Sequence, residues 1–191
     1  MKNLIADITK NISLSENQLN KVISVFRKVH LDKKDHIPFF GKTADSMMFI
    51  ESGLVRVYLL DNGAREITLQ IGMGKMWVNN LHSFITRTPN DQHLEILKPT
   101  ILYQIRKEDM DQLLQKIPAL ETFMRMKIEV AYTRLLERTL IQTNMSAEER
   151  YIAFQKKYAK LEFLVPQYII ASYLNISPEH LSAVKNRLLY S

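Results

Sequence analysis

The five glycines of this 191-residue chain lie in one short part of it. They are Gly41, Gly53, Gly63, Gly72 and Gly74. Because glycine is typical of the turns between strands, this distribution predicts β structure first and helices afterwards. Two segments in that part, LVRVYLL and EITLQI, alternate apolar and polar side chains as half-buried strands do. Asn62-Gly63 between them indicates a hairpin, and residues 100–105 predict a further strand.

Outside the β region the chain carries helical patterns. Residues 15–29 place apolar side chains on one helical face, and Ser15 with Gln18 gives a capping-box pattern at their start. After Pro118 the chain runs for about six turns without glycine or proline. One apolar stripe in that run has coiled-coil spacing: Met124, Ile128, Ala131 and Leu135. The stripe predicts a homodimer interface formed with the same helix of a second copy. The pattern leaves one alternative open, a helix that lies on the β domain.

The last part of the sequence reads as three further helices, of which the final two form a close pair. A capping-box pattern at Ser146 and Glu149 starts the first of them. Pro166 is predicted as the first residue of the next, and small Ala171 lets the following helix approach closely. Asn175 suits a left-handed turn. Ser177 is the predicted cap of the final helix, and its buried stripe is Leu181, Val184 and Leu188. These features predict a helix-turn-helix, with an ordinary core hairpin as the alternative.

The second helix of a helix-turn-helix presents its outer face to the major groove. The residues that we predict to contact DNA are Ser177, Glu179, His180, Ser182, Lys185, Asn186 and Arg187. The net charge of +6 and the pI near 9.4 permit a polyanionic partner. From Arg150 onward the sequence has six Lys or Arg residues and two acidic residues, so the excess of positive charge coincides with this motif.

Composition also restricts the compartment and the chemistry. No apolar run approaches the ~18 residues that span a bilayer, and the N-terminal segment lacks a signal-peptide pattern, so we expect a cytoplasmic protein without a membrane partner. The absence of cysteine excludes disulfides, thiolate zinc sites and Cys-ligated iron–sulfur clusters. The five histidines, His30, His36, His82, His93 and His180, lack ligand spacing. We therefore expect neither a metal-dependent cupin enzyme nor a haem protein, and no catalytic residues.

The order of these regions resembles the Crp/Fnr family of bacterial transcription regulators. The segment FIESGLVRVYLLDNGAREITLQIGMGKMW looks like the β-roll of that family. The resemblance implies an α+β chain in three parts. Residues 1–117 would form a cyclic-nucleotide-binding-like sensor domain, a double-stranded β-helix or jelly roll. Residues 118–143 would form the dimerisation helix, and residues 144–191 the DNA-binding helix-turn-helix. The implied partners are a second copy, a two-fold symmetric double-stranded DNA site and RNA polymerase.

The chain departs from the family at its recognition helix. Many members continue into a β-hairpin wing, whereas this sequence ends at Ser191, so the resemblance implies a winged-helix-like domain without its wing. Crp-like members carry an Arg-Glu pair and a later Arg where this chain has Pro178, Glu179 and Ala183. Since Glu179 is the retained position, we expect a target sequence unlike a Crp site. A dimeric β-roll that has lost DNA binding and acts as an interaction or small-molecule-binding protein is the alternative.

The effector site of the family is also altered. Asn79-Asn80-Leu81 stands where cyclic-nucleotide members have Gly-Glu-Leu. Asn90-Asp91, or Gln92-His93 in a shifted alignment, stands where they have Arg-Ser. A buried phosphate needs a compensating cation, and Arg87 is the nearby candidate. We therefore expect no cofactor, and no cyclic AMP. The candidate effector pocket comprises Met73, Trp77, Asn80, Leu81, Phe84 and Arg87, with Met76 beside it. Plain core packing is the alternative for its apolar members.

Overall fold

The computed structural model describes residues 1–37 and 40–189, except for the side chain of residue 36. The strands are β1 Arg27–Leu31, β2 His36–Ile37, β3 Ser46–Leu60, β4 Glu66–Met73, β5 Met76–Val78 and β6 Gln92–Arg106. The helices are α1 Lys2–Thr9, α2 Glu16–Ser24, α3 Leu81–Thr86, α4 Lys107–Lys116, α5 Ala119–Asn144, α6 Ala147–Glu162, α7 Gln167–Tyr173 and α8 Pro178–Leu189. None of the helices within these ranges has the length and apolar character needed to cross a membrane.

The chain forms two compact units, and the break between them falls inside α5. The first unit contains Met1–Leu59 and Gln70–Ile128. The second contains Leu60–Leu69 and the chain from Glu129 onward. The tip of the β3–β4 hairpin therefore belongs to the helical unit, which the sequence did not predict. The predicted division at residues 117 and 143 remains a prediction.

The first unit is built on one antiparallel sheet whose order is β1-β6-β3-β4, with β2 on β6 and β5 on β3. The predicted strands are confirmed within β3, β4 and β6. The long strands β3 and β6 pair from Ser46 opposite Arg106 to Leu59 opposite Gln92. Their register shifts between Ile50 and Val55, around Gly53, which has a φ of 111°. Such bulges bend a strand and increase its twist, which lets one sheet curl on itself.

The predicted hairpin between β3 and β4 is confirmed, but its turn chemistry differs. The side chain of Asp61 accepts hydrogen bonds from the backbone N–H groups of Gly63 and Arg65, each at 2.9 Å. The left-handed residue is Ala64, with a φ of 58°. An aspartate side chain that bonds the backbone two residues onward is a standard way to stabilise a turn. The turn is therefore held by Asp61 and not by the expected Asn62-Gly63 geometry.

The core of the first unit has two clusters, on opposite faces of β3. Met48 and Ile50 pack with residues of β5 and β6 inside the sheet, whereas Met47 and Phe49 face the helices. Alternate residues of a strand point to opposite faces, so five consecutive buried residues at 46–50 indicate a strand covered on both sides. The buried helical residues of the outer cluster include Leu4, Ile8, Val22, Met110, Leu113, Leu120 and Phe123.

The helical predictions are largely confirmed. Both capping boxes are present, at Ser15 of α2 and Ser146 of α6. Pro166 is the N-cap of α7 and not its first residue, since the helix starts at Gln167. Its ψ of 143° is extended, which places proline just outside the helix. α6 has a kink at Tyr158, whose φ and ψ of −134° and 37° are not helical.

Candidate DNA-binding and effector sites

The turn between α7 and α8 has the geometry of a helix-turn-helix. Asn175 adopts the left-handed conformation with a φ of 56°. The N–H of Ile176 donates to the carbonyl of Ala171 at 3.0 Å, which closes the end of α7. Ala171 is fully buried, as expected where two helices cross closely. The predicted pair of helices with a tight left-handed turn is therefore present.

The start of α8 is fixed by its cap. The Ser177 hydroxyl accepts a hydrogen bond from the N–H of His180 at 3.1 Å, and Pro178 is the first helical residue. Leu181 and Val184 are buried, so the opposite face of the helix is directed to solvent. Six of the seven predicted DNA-contacting residues are exposed: Ser177, Glu179, His180, Ser182, Asn186 and Arg187.

Glu179 is ionised at the exposed start of α8. Hydrogen bonds from its own backbone N–H and then from the Ser177 hydroxyl lower the pKa of the Glu179 carboxyl. An ionised carboxylate only accepts hydrogen bonds. It can therefore recognise a donor such as the exocyclic amino group of cytosine.

The two basic residues of α8 have different surroundings. Lys185 is partly buried, its Nζ lies 2.9 Å from Oε1 of Glu162, and it faces the Tyr151 ring. Arg187 is 68% exposed and its Nη1 lies 3.2 Å from Oε2 of Glu148. A phosphate would displace the weak surface pair of Arg187 at little cost, whereas Lys185 would have to leave a partly buried carboxylate.

The carboxylate beside Lys185 is the centre of a polar cluster that joins α6 to α8. Glu162 accepts hydrogen bonds from the Tyr151 hydroxyl and, at 2.9 Å, from Nε2 of Gln155. Burial by itself would raise the pKa of Glu162, but the bonds from Tyr151, Gln155 and Lys185 lower it. Burial and the same carboxylate raise the pKa of Tyr151. No sequence motif predicts this cluster, because its members are spread over 35 residues.

Further lysines lie on α6. Lys156, Lys157 and Lys160 are exposed. Lys157 makes an ion pair with Glu137 of α5, at 2.5 Å. Exposed lysines in the same unit as α8 add to its positive charge, which favours approach to a polyanion.

Trp77 and Phe84 of the candidate effector pocket are packed in the core of the first unit. Trp77 contacts the rings of Phe49 and Phe123, and its Nε1 donates to Oδ2 of Asp7 at 2.8 Å. Phe84 is buried in the same cluster. The cavity that Trp77 lines has a volume of about 10 Å³, enough for about one water. Trp77 and Phe84 are thus packed in the core, which was the alternative to their lining an effector pocket.

Asn80 of the candidate pocket forms a hydrogen-bonded network with Asn90 and Asp91, which we call the amide network. Nδ2 of Asn80 donates to Oδ1 of Asn90 at 2.7 Å and to Oδ1 of Asp91 at 3.1 Å. Oδ1 of Asn80 accepts from the N–H of Ser83 and so caps α3. Asn80 and Asn90 are both buried. Both Asn80 and Asn90 are therefore bonded within this network, at positions where the resemblance predicted altered phosphate-binding residues.

Arg87, Leu81 and Met73 lie around this network in different ways. Arg87 is exposed, ends α3 in a left-handed conformation, and donates from Nη1 to the carbonyl of Ala44 at 2.8 Å. Leu81 begins α3 and Met73 ends β4, and both are partly buried. The structure does not bring Arg87 into a hydrogen bond with the amide network, so the network has a carboxylate but no cation among its bonded members.

The predicted dimer residues differ in exposure. Met124 packs against the core of the first unit, and Ala131 is exposed but small. Ile128 and Leu135 are exposed by 41% and 61%. Other exposed apolar residues lie on the same side of α5. We call this set the exposed stripe: Ile128, Tyr132, Leu135 and Leu136.

In residues 1–37 and 40–189, no group of three or more His, Cys, Asp or Glu side chains is arranged to hold a metal ion. Among the histidines, His93 is stacked between the rings of Phe40 and Tyr58.

Residues 28–117 match the family described as cyclic nucleotide-binding domain. Among solved structures, the c-di-GMP-responsive global regulator CLP of Xanthomonas campestris superposes with a TM-score of 0.74 at 16% identity, covering 92% of both chains. FixK2 of Bradyrhizobium japonicum superposes with a TM-score of 0.73 at 14% identity, covering 87% of this chain and 85% of that one. A protein of Eubacterium rectale assigned to the Crp/Fnr family of transcriptional regulators superposes with a TM-score of 0.70 at 16% identity, covering 93% of this chain and 84% of that one. No curated protein sequence is similar enough to this chain to count as a relative.

The fold is therefore similar to that of the Crp/Fnr regulators among these structures: residues 28–117 match the cyclic nucleotide-binding domain family, and a long helix and a helix-turn-helix follow them. The predicted resemblance and the predicted α+β class are confirmed. At these identities the likeness to the solved structures is one of fold.

Proposed function

We propose that the protein is a homodimeric, sequence-specific DNA-binding regulator of transcription. The observation that carries the proposal is α8, a capped helix with a buried stripe at Leu181 and Val184 and an exposed polar face at Glu179, His180 and Ser182. A helix of this kind, held by a tight left-handed turn, suits insertion into the major groove. RNA polymerase would be the partner at a promoter.

Dimerisation is supported by the exposed stripe of α5. Several large apolar side chains on one side of a helix are costly to leave in water, at about 25 cal/mol per Å² of apolar surface. A parallel copy of α5 would cover them along the helix axis. Two recognition helices related by a two-fold axis would then meet half-sites about 34 Å apart.

A binding selection from randomised duplexes tests the proposal. We expect recovered sequences with inverted repeats spaced by about one helical turn, and affinity that falls steeply with salt. A purified dimer that shows no salt-sensitive DNA binding at low ionic strength would overturn it. A dimeric β-roll that acts as an interaction or small-molecule-binding protein would then take its place.

Two substitutions on α8 should affect DNA binding in different ways, one through base preference and one through affinity for all sequences. Glu179→Ala should relax preference at one base-pair position by about 1–3 kcal/mol, because it removes an acceptor for a base edge. Arg187→Ala should weaken binding to all sequences alike and reduce the salt slope by about one unit, since a phosphate contact carries no sequence information. Fluorescence anisotropy on a panel of single-base variants of the selected site, at several salt concentrations, measures both effects. Equal base preferences for Glu179→Ala and the wild type would contradict the assigned role.

Lys185 is also proposed to contact phosphate, but it is the weaker test. Lys185→Ala leaves Glu162 without its ion-pair partner, so a loss of affinity would mix a DNA contact with a change in the α6–α8 packing. Arg187, whose pair with Glu148 is exposed, separates the two effects.

We further propose that the regulator responds to an effector other than cyclic AMP, or to none. We expect no binding of cyclic AMP up to millimolar concentration. Asn90 and Asp91 of the amide network stand at the positions that the resemblance assigns to the phosphate-binding pair, and bringing a phosphate beside Asp91 without a cation is unfavourable. Isothermal titration calorimetry decides the point, with a cyclic-AMP-binding protein as the positive control. A micromolar dissociation constant would show that Arg87 or another group neutralises the phosphate.

A further inference from the structure

Arg138 joins three segments of the helical unit. From α5 its Nη2 donates to the carbonyl of Thr68 at 2.7 Å, and its Nη1 donates to the carbonyl of Leu69. The guanidinium lies over the ring of Tyr173 in α7, 4.7 Å from the centroid. Burial lowers the pKa of Arg138, although an arginine in a protein keeps its charge. A partly buried charge is tolerated only when its donors are bonded, so these contacts hold the arginine in one place.

A second set of bonds joins the same segments beside Arg138. The Ser172 hydroxyl of α7 accepts from the N–H of Thr68 at 2.9 Å and bonds the Thr68 hydroxyl at 3.0 Å. It donates to the carbonyl of Glu66 at 2.6 Å. The single Ser172 hydroxyl thus bonds three groups of β4, and Thr68 is fully buried. The hairpin tip is therefore bonded to the first helix of the helix-turn-helix by side chains, without strand pairing.

We propose that Arg138, Thr68 and Ser172 form a positioning lock, which fixes α7 and with it the recognition helix in the orientation that binds DNA. The hairpin residues Leu60–Leu69 would then contribute to DNA binding by holding α7 in place. The inference rests on the proposed function.

The exposure of the α8 side chains indicates whether the lock favours or opposes DNA binding. With the lock closed, Glu179, His180 and Ser182 are exposed, so the hairpin does not cover the proposed reading face. The turn after α7 is bonded to α7 itself through Ala171 and Ile176, so α8 follows where α7 is held. A pre-ordered helix pair loses less conformational entropy on binding. The closed lock should therefore favour DNA binding.

The first test compares paired variants. Thr68→Val removes the hydroxyl but keeps the shape, and Thr68→Ser keeps the hydroxyl. Arg138→Met removes the guanidinium, and Arg134→Met makes the same change at an exposed position of α5. We expect Thr68→Val and Arg138→Met to bind the selected site about tenfold more weakly, with unchanged base preference and salt slope. Thr68→Ser and Arg134→Met should bind like the wild type. Affinity equal to or above the wild type in both Thr68→Val and Arg138→Met would overturn the lock.

The second test needs no DNA. Ser172→Ala removes the acceptor of the Thr68 amide, so hydrogen exchange at residue 68 should accelerate by about tenfold or more, while amides of α6 keep their protection. Unchanged exchange at residue 68 would overturn the lock. Failure of the wild type to bind any duplex would instead overturn the proposed function, and the exchange result would still decide whether the lock exists.

Discussion

Leu135→Lys is expected to convert the dimer into monomers. Leu135 lies toward the C-terminal end of the exposed stripe, and its side chain is 61% exposed in the single chain. In the proposed dimer the introduced ammonium would face its symmetry mate across an apolar seam. An unpaired charge in such a position costs several kcal/mol, and the two-fold axis applies that cost twice. Sedimentation velocity at micromolar protein should show a single species of half the mass.

The matched control is Val130→Lys. Val130 is also an exposed apolar residue of α5, but it lies five positions from Leu135, about 140° away around the helix. Since this position is outside the stripe, the variant should stay dimeric. Ile128→Lys, at the other end of the stripe, should dissociate like Leu135→Lys. A dimer that survives both stripe variants would refute the proposed interface.

Sequence periodicity predicted α5 and its apolar stripe, but it placed the interface differently from the exposures in the structure. Met124 and Leu135 have the same coiled-coil spacing, yet Met124 packs against the core of the first unit. Periodicity shows which residues share a face and not what covers that face. Tyr132 and Leu136, which the spacing rule left out, are among the exposed residues. Burial depends on neighbours distant in sequence, and a single sequence does not reveal them.

The same limit applies to the candidate sites. The cap of α8 could be predicted because Ser177 and Pro178 act on their nearest neighbours, a local effect. The ion pair of Lys185 joins α8 to Glu162 at the end of α6, and no local pattern predicts it. From the sequence, the residues of the amide network could be recognised only as differences from the effector-binding residues of the family that the chain resembles. That Asn80 and Asn90 bond each other depends on the fold of the loop after α3.

Gly53→Ala is expected to unfold the β domain or nearly so. Gly53 has a φ of +111°, a conformation that L residues adopt only at a cost of about 1–3 kcal/mol. A Cβ there would lie 2.6 Å from Cα of Thr100 and 2.7 Å from the carbonyl oxygen of Pro99. These are backbone atoms of the paired strand β6, so they cannot rotate away as the end of a side chain can. The Thr100 hydroxyl, 2.3 Å from that Cβ, is itself held by bonds to Leu54 and Lys98.

Gly41→Ala separates the two contributions to this effect. Gly41 also has a positive φ, of +77°, but a Cβ there would meet nothing within 4 Å. Its substitution should therefore cost only the backbone strain, about 1–2 kcal/mol. Gly53→Ala adds the clash with β6 and should lose at least 4 kcal/mol, roughly the range that marks exceptional mutations and a large share of the 5–15 kcal/mol of an average domain. Urea unfolding followed by Trp77 fluorescence measures both free energies of unfolding. Similar losses for the two variants would show that strain alone acts at Gly53 and that the bulge between β3 and β6 can widen to accept a side chain.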